Sequence, residues 1–155
     1  MEGWDGFSLT CTMWQERMKA MGEPAFRGRQ IFGWLHDKQV SSYQQMSNLP
    51  QTLRERLAVE MPLQPMQKSL VQHSAKDGTR KYLMRLADGE SIETVYMRYH
   101  YGASLCISSQ VGCKMGCRCC ASTLSGKVRD LTPGEMVQQI YLAEQDTREK
   151  ITHVV

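Results

Sequence analysis

The chain contains no run of 18 apolar residues, so no segment reads as a membrane span, which needs about 20. Its first residues, Met1-Glu2-Gly3-Trp4-Asp5, carry acidic groups and no apolar stretch, which is not the pattern of a secretory signal. The expected location is therefore the cytoplasm, where thiols stay reduced. A strong charge bias is also missing. Lys and Arg number 19 against 16 Asp and Glu, a formal net charge of +3, which neither demands nor excludes a nucleic-acid partner. The 155 residues are too few to close a complete α/β barrel, which takes about 250. They suit one domain or two to three small modules. Internal repeats and low-complexity tracts are absent.

What the chain does have is clustered cysteine. Of Cys11, Cys106, Cys113, Cys117, Cys119 and Cys120, five fall between positions 106 and 120. A disulfide scaffold scatters its cysteines, whereas clustering in a reducing compartment points to metal or redox chemistry. The 11 methionines suit irregular core gaps and carry no functional inference.

Periodicity divides the chain. Trp14, Met18 and Met21 recur at helical spacing, and Gly22 is placed to stop that helix. Pro24 suits the first turn of a second helix, with Phe26, Ile31, Trp34 and Leu35 on its buried side and Arg27, Arg29 and Lys38 outward. A third helix is expected from Pro50, carrying Leu53 and Leu57, and ending before Pro62. Residues 1–62 thus read as a helical module, and 63–66 as a linker. The period then changes to two. Thr79–Leu86 is a strand with Tyr82, Met84 and Leu86 on one face, and Ser91–Tyr99 is a second. Asp77-Gly78 and Asp88-Gly89 signal two-residue hairpins, giving a small antiparallel module over 63–104. From 105 the pattern changes again. Leu105–Ser109 is a short strand and the cysteine loop follows. A helix opens at Thr132 (N-cap), Pro133 (N1) and Glu135 (N3), with Met136, Val137, Ile140 and Tyr141 on its buried side. Ile151–Val155 is a new strand. Strand, helix, strand opens a parallel α/β sheet.

Cys113, Cys117 and Cys120 form C-x3-C-x2-C. Three thiolates on a compact loop can hold three irons of a [4Fe–4S] cube and leave the fourth iron open, where four-cysteine clusters leave none. An open iron can chelate the amino and carboxylate groups of S-adenosylmethionine. The competing reading is zinc, with Cys119 as a fourth ligand. Against it, Cys119 and Cys120 are adjacent, and adjacent side chains rarely address one metal. His100 and His153 are distant in sequence.

The segment Cys106-Ile-Ser-Ser-Gln-Val-Gly-Cys113-Lys-Met-Gly-Cys117-Arg-Cys-Cys120-Ala-Ser closely resembles the signature of the radical-SAM rRNA adenine-C2 methyltransferases (RlmN), relatives of the Cfr enzymes. Pro24-Ala-Phe-Arg-Gly-Arg-Gln-Ile-Phe resembles their N-terminal helical domain. Asp77-Gly-Thr-Arg-Lys-Tyr-Leu and Ile92-Glu-Thr-Val resemble the strands before the cluster loop.

The resemblance implies an α/β fold in which residues 105–155 begin a partial (β/α) barrel. It implies that Cys113, Cys117 and Cys120 bind a [4Fe–4S] cluster serving S-adenosylmethionine, that Cys106 is one of two chemically used cysteines, and that Glu93 is a proton acceptor. In the family a second, C-terminal cysteine is methylated first. Its carbon then adds to C2 of an adenine, and the Cys106 counterpart resolves the protein–RNA crosslink through a transient disulfide. The implied substrate is 23S rRNA, with tRNA as a second candidate, and the implied reductant is an electron donor such as flavodoxin. Without the resemblance, Cys106 reads as a core cysteine and Glu93 as a solvated strand residue. Arg27, Arg29, Lys38, Arg54 and Arg56 are candidate phosphate grips; otherwise they form an ordinary charged helix face.

Two departures stand out. Cys119 replaces the aromatic residue usual before the third ligand. The chain also ends where the family's Gly-Met-Gly-Glu-Pro motif would begin, so a truncated barrel is expected. The alternative function is a catalytically inactive fragment that binds RNA or metal.

Overall fold

The computed structural model describes residues 5–155. The segment read for a secretory signal lies, apart from Asp5, outside the described residues. Backbone contacts divide the chain between Gln64 and Pro65, within the stretch read as a linker.

The first unit is helical: α1 (Cys11–Ala20), α2 (Phe26–His36) and α3 (Gln51–Glu60). Thr10 caps α1 by accepting from the Met13 N–H. Gly22, at φ +78°, follows the last turn in the left-handed conformation that glycine adopts without a Cβ penalty. Trp14, Met18, Ile31, Leu35, Met46 and Leu57 are fully buried together. The Trp14 indole N–H meets the Gly6 carbonyl at 3.1 Å, and the Tyr43 hydroxyl meets the Met61 carbonyl at 2.8 Å, so both polar tips within this core are satisfied. A Cβ on Gly28 would lie 2.4 Å from the Gln15 backbone nitrogen. The α1–α2 crossing therefore requires glycine there.

Two expectations for α2 need correction. Pro24 precedes the N-cap Ala25 rather than opening the first turn. Phe26 is 44% exposed, because the buried stripe is carried by Gly28, Ile31 and Leu35. Trp34 is only partly buried. Its ring packs beneath the Lys38 ammonium, 3.6 Å from the ring centroid, and its N–H donates to Asn48 Oδ1.

The second unit holds a five-stranded sheet of order β1-β2-β3-β4-β7 and a separate two-stranded ribbon, β5-β6. The strands are β1 (Gln67–His73), β2 (Arg80–Arg85), β3 (Ser91–Tyr99), β4 (Gly102–Cys106), β5 (Gln110–Gly112), β6 (Lys127–Asp130) and β7 (Ile151–Val154). β1 to β4 pair antiparallel, and β7 joins β4 in parallel after helix α4 (Pro133–Thr147). Segments 63–104 and 105–155, read separately from the sequence, share this one sheet.

Strand β1 escapes a sequence reading because it is a polar edge: six of its seven residues are exposed. The two-residue hairpins are longer than expected. The first loop is closed by Ser74 N–H donating to the Thr79 carbonyl, and the second by Leu86 N–H donating to the Glu90 carbonyl. In the second, Gly89 takes φ +92°, the left-handed position of a three-residue turn.

Helix α4 begins as expected, with a Thr132/Glu135 capping box and Pro133 in the first turn. Its most buried residues, however, are Gly134, Gln138, Gln139 and Ala143. Met136 and Ile140 are partly buried against the core, and Val137 and Tyr141 are also only partly covered.

Candidate active site

Alternation along β3 sorts its side chains between two faces. Ile92, Thr94 and Tyr96 are buried, and with Tyr82, Met84, Leu105 and Ala143 they form the core under α4. Glu93 and Val95 point to the opposite face. Cys106 is the register partner of Val95, so its thiol shares that face. Both Glu93 and Cys106 are exposed. Their roles were inferred through resemblance, and the register places them on one side of one sheet. The Glu93 carboxylate pairs with Lys81 at 2.6 Å, both side chains remaining nearly half exposed.

The ribbon β5-β6 is the root of the cysteine loop. Cys113 N–H donates to the Gly126 carbonyl at 3.1 Å. At Gly112, φ is +68° and a Cβ would fall 1.9 Å from that same carbonyl oxygen, so the loop closes only over glycine. Farther out, the Thr123 hydroxyl bonds the Cys120 carbonyl at 2.9 Å and the Cys117 carbonyl at 3.3 Å. Cys120 N–H donates to the Cys117 carbonyl. Backbone bonds rather than side-chain packing shape this segment: the short 3₁₀ turn Ala121–Thr123 has no buried residue, and Leu124 is 85% exposed.

A bidentate ion pair anchors the ribbon. The Arg129 guanidinium meets both Glu135 carboxylate oxygens at 2.8 Å and Asp88 Oδ2 at 2.6 Å. Hydrogen bonding to Glu135, and then to Asp88, raises the Arg129 pKa above its ordinary value despite some burial. Burial opposes ionisation of Asp88, yet the Glu90 N–H and Arg129 hold its carboxyl below the usual range. One arginine thus ties the cysteine ribbon to the cap of α4 and to the β2–β3 turn.

A cavity of about 280 Å³ lies within this unit. Glu93 and Ser108 line one side, and Gly112, Ala121, Ser122 and Gly126 line the other. It joins the Glu93 strand to both ends of the cysteine loop. Cys106 is not part of its lining.

All six cysteines are free thiols. Cys113 is partly buried, while Cys117, Cys119 and Cys120 are exposed. The three candidate ligands occupy one loop, but their sulfurs do not converge: among the described residues no group of three or more His, Cys, Asp or Glu side chains is gathered to hold a metal ion. The chemistry of the donor set nonetheless suits an iron–sulfur cluster. From Cys113 to Gly126 the loop contains no His, Asp or Glu, so its metal-binding side chains are soft sulfur donors, the kind such clusters take.

In the helical unit, the candidate phosphate grips are largely engaged. Arg27 bonds Gln30 and the Asn48 carbonyl, Arg54 the Gln44 carbonyl, and Arg56 both Glu60 and the Met21 carbonyl. Lys38 lies over Trp34. Arg29 is exposed. No helix among the described residues is long and apolar enough to cross a membrane.

Sequence reasoning did not single out Arg129, Ser108 or Gln139. The available signal was polarity where an apolar residue was due, at Gln139 on the covered side of α4.

Comparison with known proteins bears on the same elements. Residues 7–62 match the ribosomal RNA large subunit methyltransferase N-terminal domain. A probable dual-specificity RNA methyltransferase RlmN from Lachnospira eligens is 50% identical over 138 residues, covering 89% of this chain and 39% of that protein. Its namesake from Bacillus cereus is 44% identical over 152 residues, covering 96% of this chain and 42% of the relative. The crystal structure of a radical SAM methyltransferase from Sphaerobacter thermophilus superposes with a TM-score of 0.88 at 39% identity, over 97% of this chain and 45% of that one. The chain therefore spans about two fifths of the length of these curated relatives. Over nearly its whole length the chain is similar to the N-terminal portion of RlmN-family proteins.

Proposed function

We propose that this chain supplies the cluster loop and two reacting groups of a radical-SAM RNA methyltransferase. Cys113, Cys117 and Cys120 would hold a [4Fe–4S] cluster that leaves one iron open to S-adenosylmethionine. The observation that carries the reading is the all-sulfur loop whose two ends share a cavity with Glu93. The reduced cluster and S-adenosylmethionine supply one-electron chemistry strong enough to functionalise an unactivated C–H bond.

The chain's own residues then have separable tasks. The Glu93 carboxylate, paired with the Lys81 ammonium at 2.6 Å, accepts a proton at its oxygens. The exposed Cys106 thiol, on the same face of the sheet, is available for thiol–disulfide exchange, which requires a reachable sulfur. The ribbon β5-β6 holds the cysteine loop against the Glu93 strand. The target is C2 of an adenine in 23S rRNA, with tRNA as a second substrate, reached by taking the base out of its stack. Methyl transfer runs through a methyl-cysteine intermediate. A flavodoxin-like donor provides electrons, and the reaction belongs to the cytoplasm. In the helical unit, exposed Arg29 is the residue best placed to meet phosphate.

Anaerobic reconstitution with iron and sulfide tests the cluster. The expected result is about four irons per chain with matching sulfide, lost when Cys113, Cys117 and Cys120 are replaced together by Ala and retained in Cys119→Ala. One zinc per chain bound in preference to iron, or iron uptake indifferent to the triple replacement, overturns the proposal.

A further inference from the structure

Gln139 is a polar residue with no exposed surface in the middle of α4, beneath the sheet. The helix has only a partial apolar stripe there, and a glutamine in such a place must satisfy its carboxamide internally. It does so on two strands at once. Its Oε1 accepts from the Thr94 hydroxyl at 2.7 Å and from the Ser108 N–H at 2.8 Å. Its Nε2 donates to the Ser108 carbonyl at 2.9 Å and, more weakly, to the Glu135 carbonyl at 3.4 Å.

The two bonds to Ser108 reproduce what a neighbouring strand would offer. Ser108 lies between the end of β4 at Cys106 and the start of β5 at Gln110, outside both strands. Ile107 still bonds Val155, and Ser109 accepts from Leu131. At Ser108 the side chain of Gln139 stands in for the missing strand. The Ser108 hydroxyl in turn donates to the Glu93 carbonyl at 2.7 Å. Thr94, the third partner, is the residue after Glu93.

We infer that Gln139 is a positioning residue that fixes the strand end bearing Cys106 against the strand bearing Glu93. It lies on the covered side of the sheet and touches neither side chain. It acts through Thr94 and Ser108, each within two residues of one of them. A buried amide whose hydrogen bonds are all satisfied rigidifies its surroundings, and this one bridges the segment that joins Cys106 to the cysteine loop. The inference rests on the roles proposed above for Cys106 and Glu93, but its test needs neither iron nor turnover.

The experiment measures proximity in the full chain. In an E93C background, a short bifunctional thiol reagent is applied and the 93–106 crosslink is quantified by peptide mass spectrometry. The same measurement is repeated with Gln139→Met, which preserves bulk and removes the hydrogen bonds, and with Gln139→Glu, which keeps the Oε1-type acceptor and loses the donor. Crosslink yield should fall at least fivefold with Met and recover at least half of that loss with Glu. Thr94→Val, a near-isosteric change, should lower it about twofold. A yield unchanged within twofold for Gln139→Met, at any melting temperature, overturns the inference, as does a loss that Glu does not partly restore. If Gln139→Met fails to fold, Gln139→Leu takes its place under the same threshold: a yield unchanged within twofold overturns the inference. A Gln139-dependent crosslink in a chain that binds no iron would sink the proposed function and leave the positioning role intact.

Discussion

The helical core of the first unit and the cysteine loop of the second are held by opposite means. In the helical unit, Trp14, Met18, Ile31, Leu35 and Leu57 are completely buried, and apolar contact does the work. The loop from Cys113 to Gly126 buries none of its 3₁₀ turn and keeps its shape through backbone bonds, a Thr123 clasp and two positive-φ glycines at its root, Gly112 and Gly126. The contrast teaches that a segment built to present thiols cannot also enclose them. Its stability must be borrowed from its root, here Arg129 and the β5-β6 ribbon.

The sharpest way to break this comparison is Trp14→Ala. Truncating a fully buried tryptophan should cost the helical unit about 3–5 kcal/mol, measured by chemical denaturation followed by circular dichroism. A loss under 1 kcal/mol would mean that apolar packing is not what holds that unit. The counterpart at the loop's root is Arg129→Met. It leaves Glu135, whose side chain is 15% exposed, without its guanidinium, and should cost about 2–3 kcal/mol. The same measurement checks it, and hydrogen exchange should show the ribbon opening first.

Acid sharpens the comparison further, because the second unit carries a charged cluster with a defined titration. Burial opposes ionisation of Asp146, but hydrogen bonds from Lys68, Arg80 and Tyr82 hold its pKa at about 2, against an ordinary 3.8. A carboxylate with a depressed folded-state pKa stabilises above its unfolded value and loses that contribution as pH falls through the folded one. The expected loss is about 2 kcal/mol, spread between about pH 4 and pH 2. It should disappear in Asp146→Asn when stability is measured across that range. The smallest effect belongs to the loop surface. Leu124→Ala, at a side chain 85% exposed, should shift stability by less than about 0.5 kcal/mol. A larger loss would reveal packing that the loop does not display.

Much of the framework was legible in the residues themselves. The Thr132–Glu135 capping box, the Gly22 stop, and the alternation of Tyr82, Met84 and Leu86 each follow from local chemistry, and each appears where it was expected. Strand β1 was not legible, because a polar edge strand carries no apolar alternation. Its existence depends on pairing with β2. The ribbon strands were missed for a similar reason: they are three and four residues long, and only their mutual pairing and Arg129 define them. On α2 and α4 the buried side was misjudged wherever a small or polar residue marks the closest approach. Gly28 lies at a helix crossing and Gln139 at a hydrogen-bond junction, and neither looks like core by hydropathy.

The sequence by itself determined the donor set. Three cysteines spaced C-x3-C-x2-C, in a stretch free of His and carboxylates, limit the chemistry whatever the fold does, because ligand softness is a property of the side chain. Only the tertiary structure decided what faces that loop. Strand register put Glu93 and Cys106 on one side of the sheet, ribbon pairing brought Glu93 and the loop's two ends around one cavity, and the amide of Gln139 locked the strand ends together. Among them, the Ser108–Glu93 and Thr94–Gln139 hydrogen bonds span 15 and 45 positions. They depend on which strands pair and which face is covered, and no local pattern carries that information.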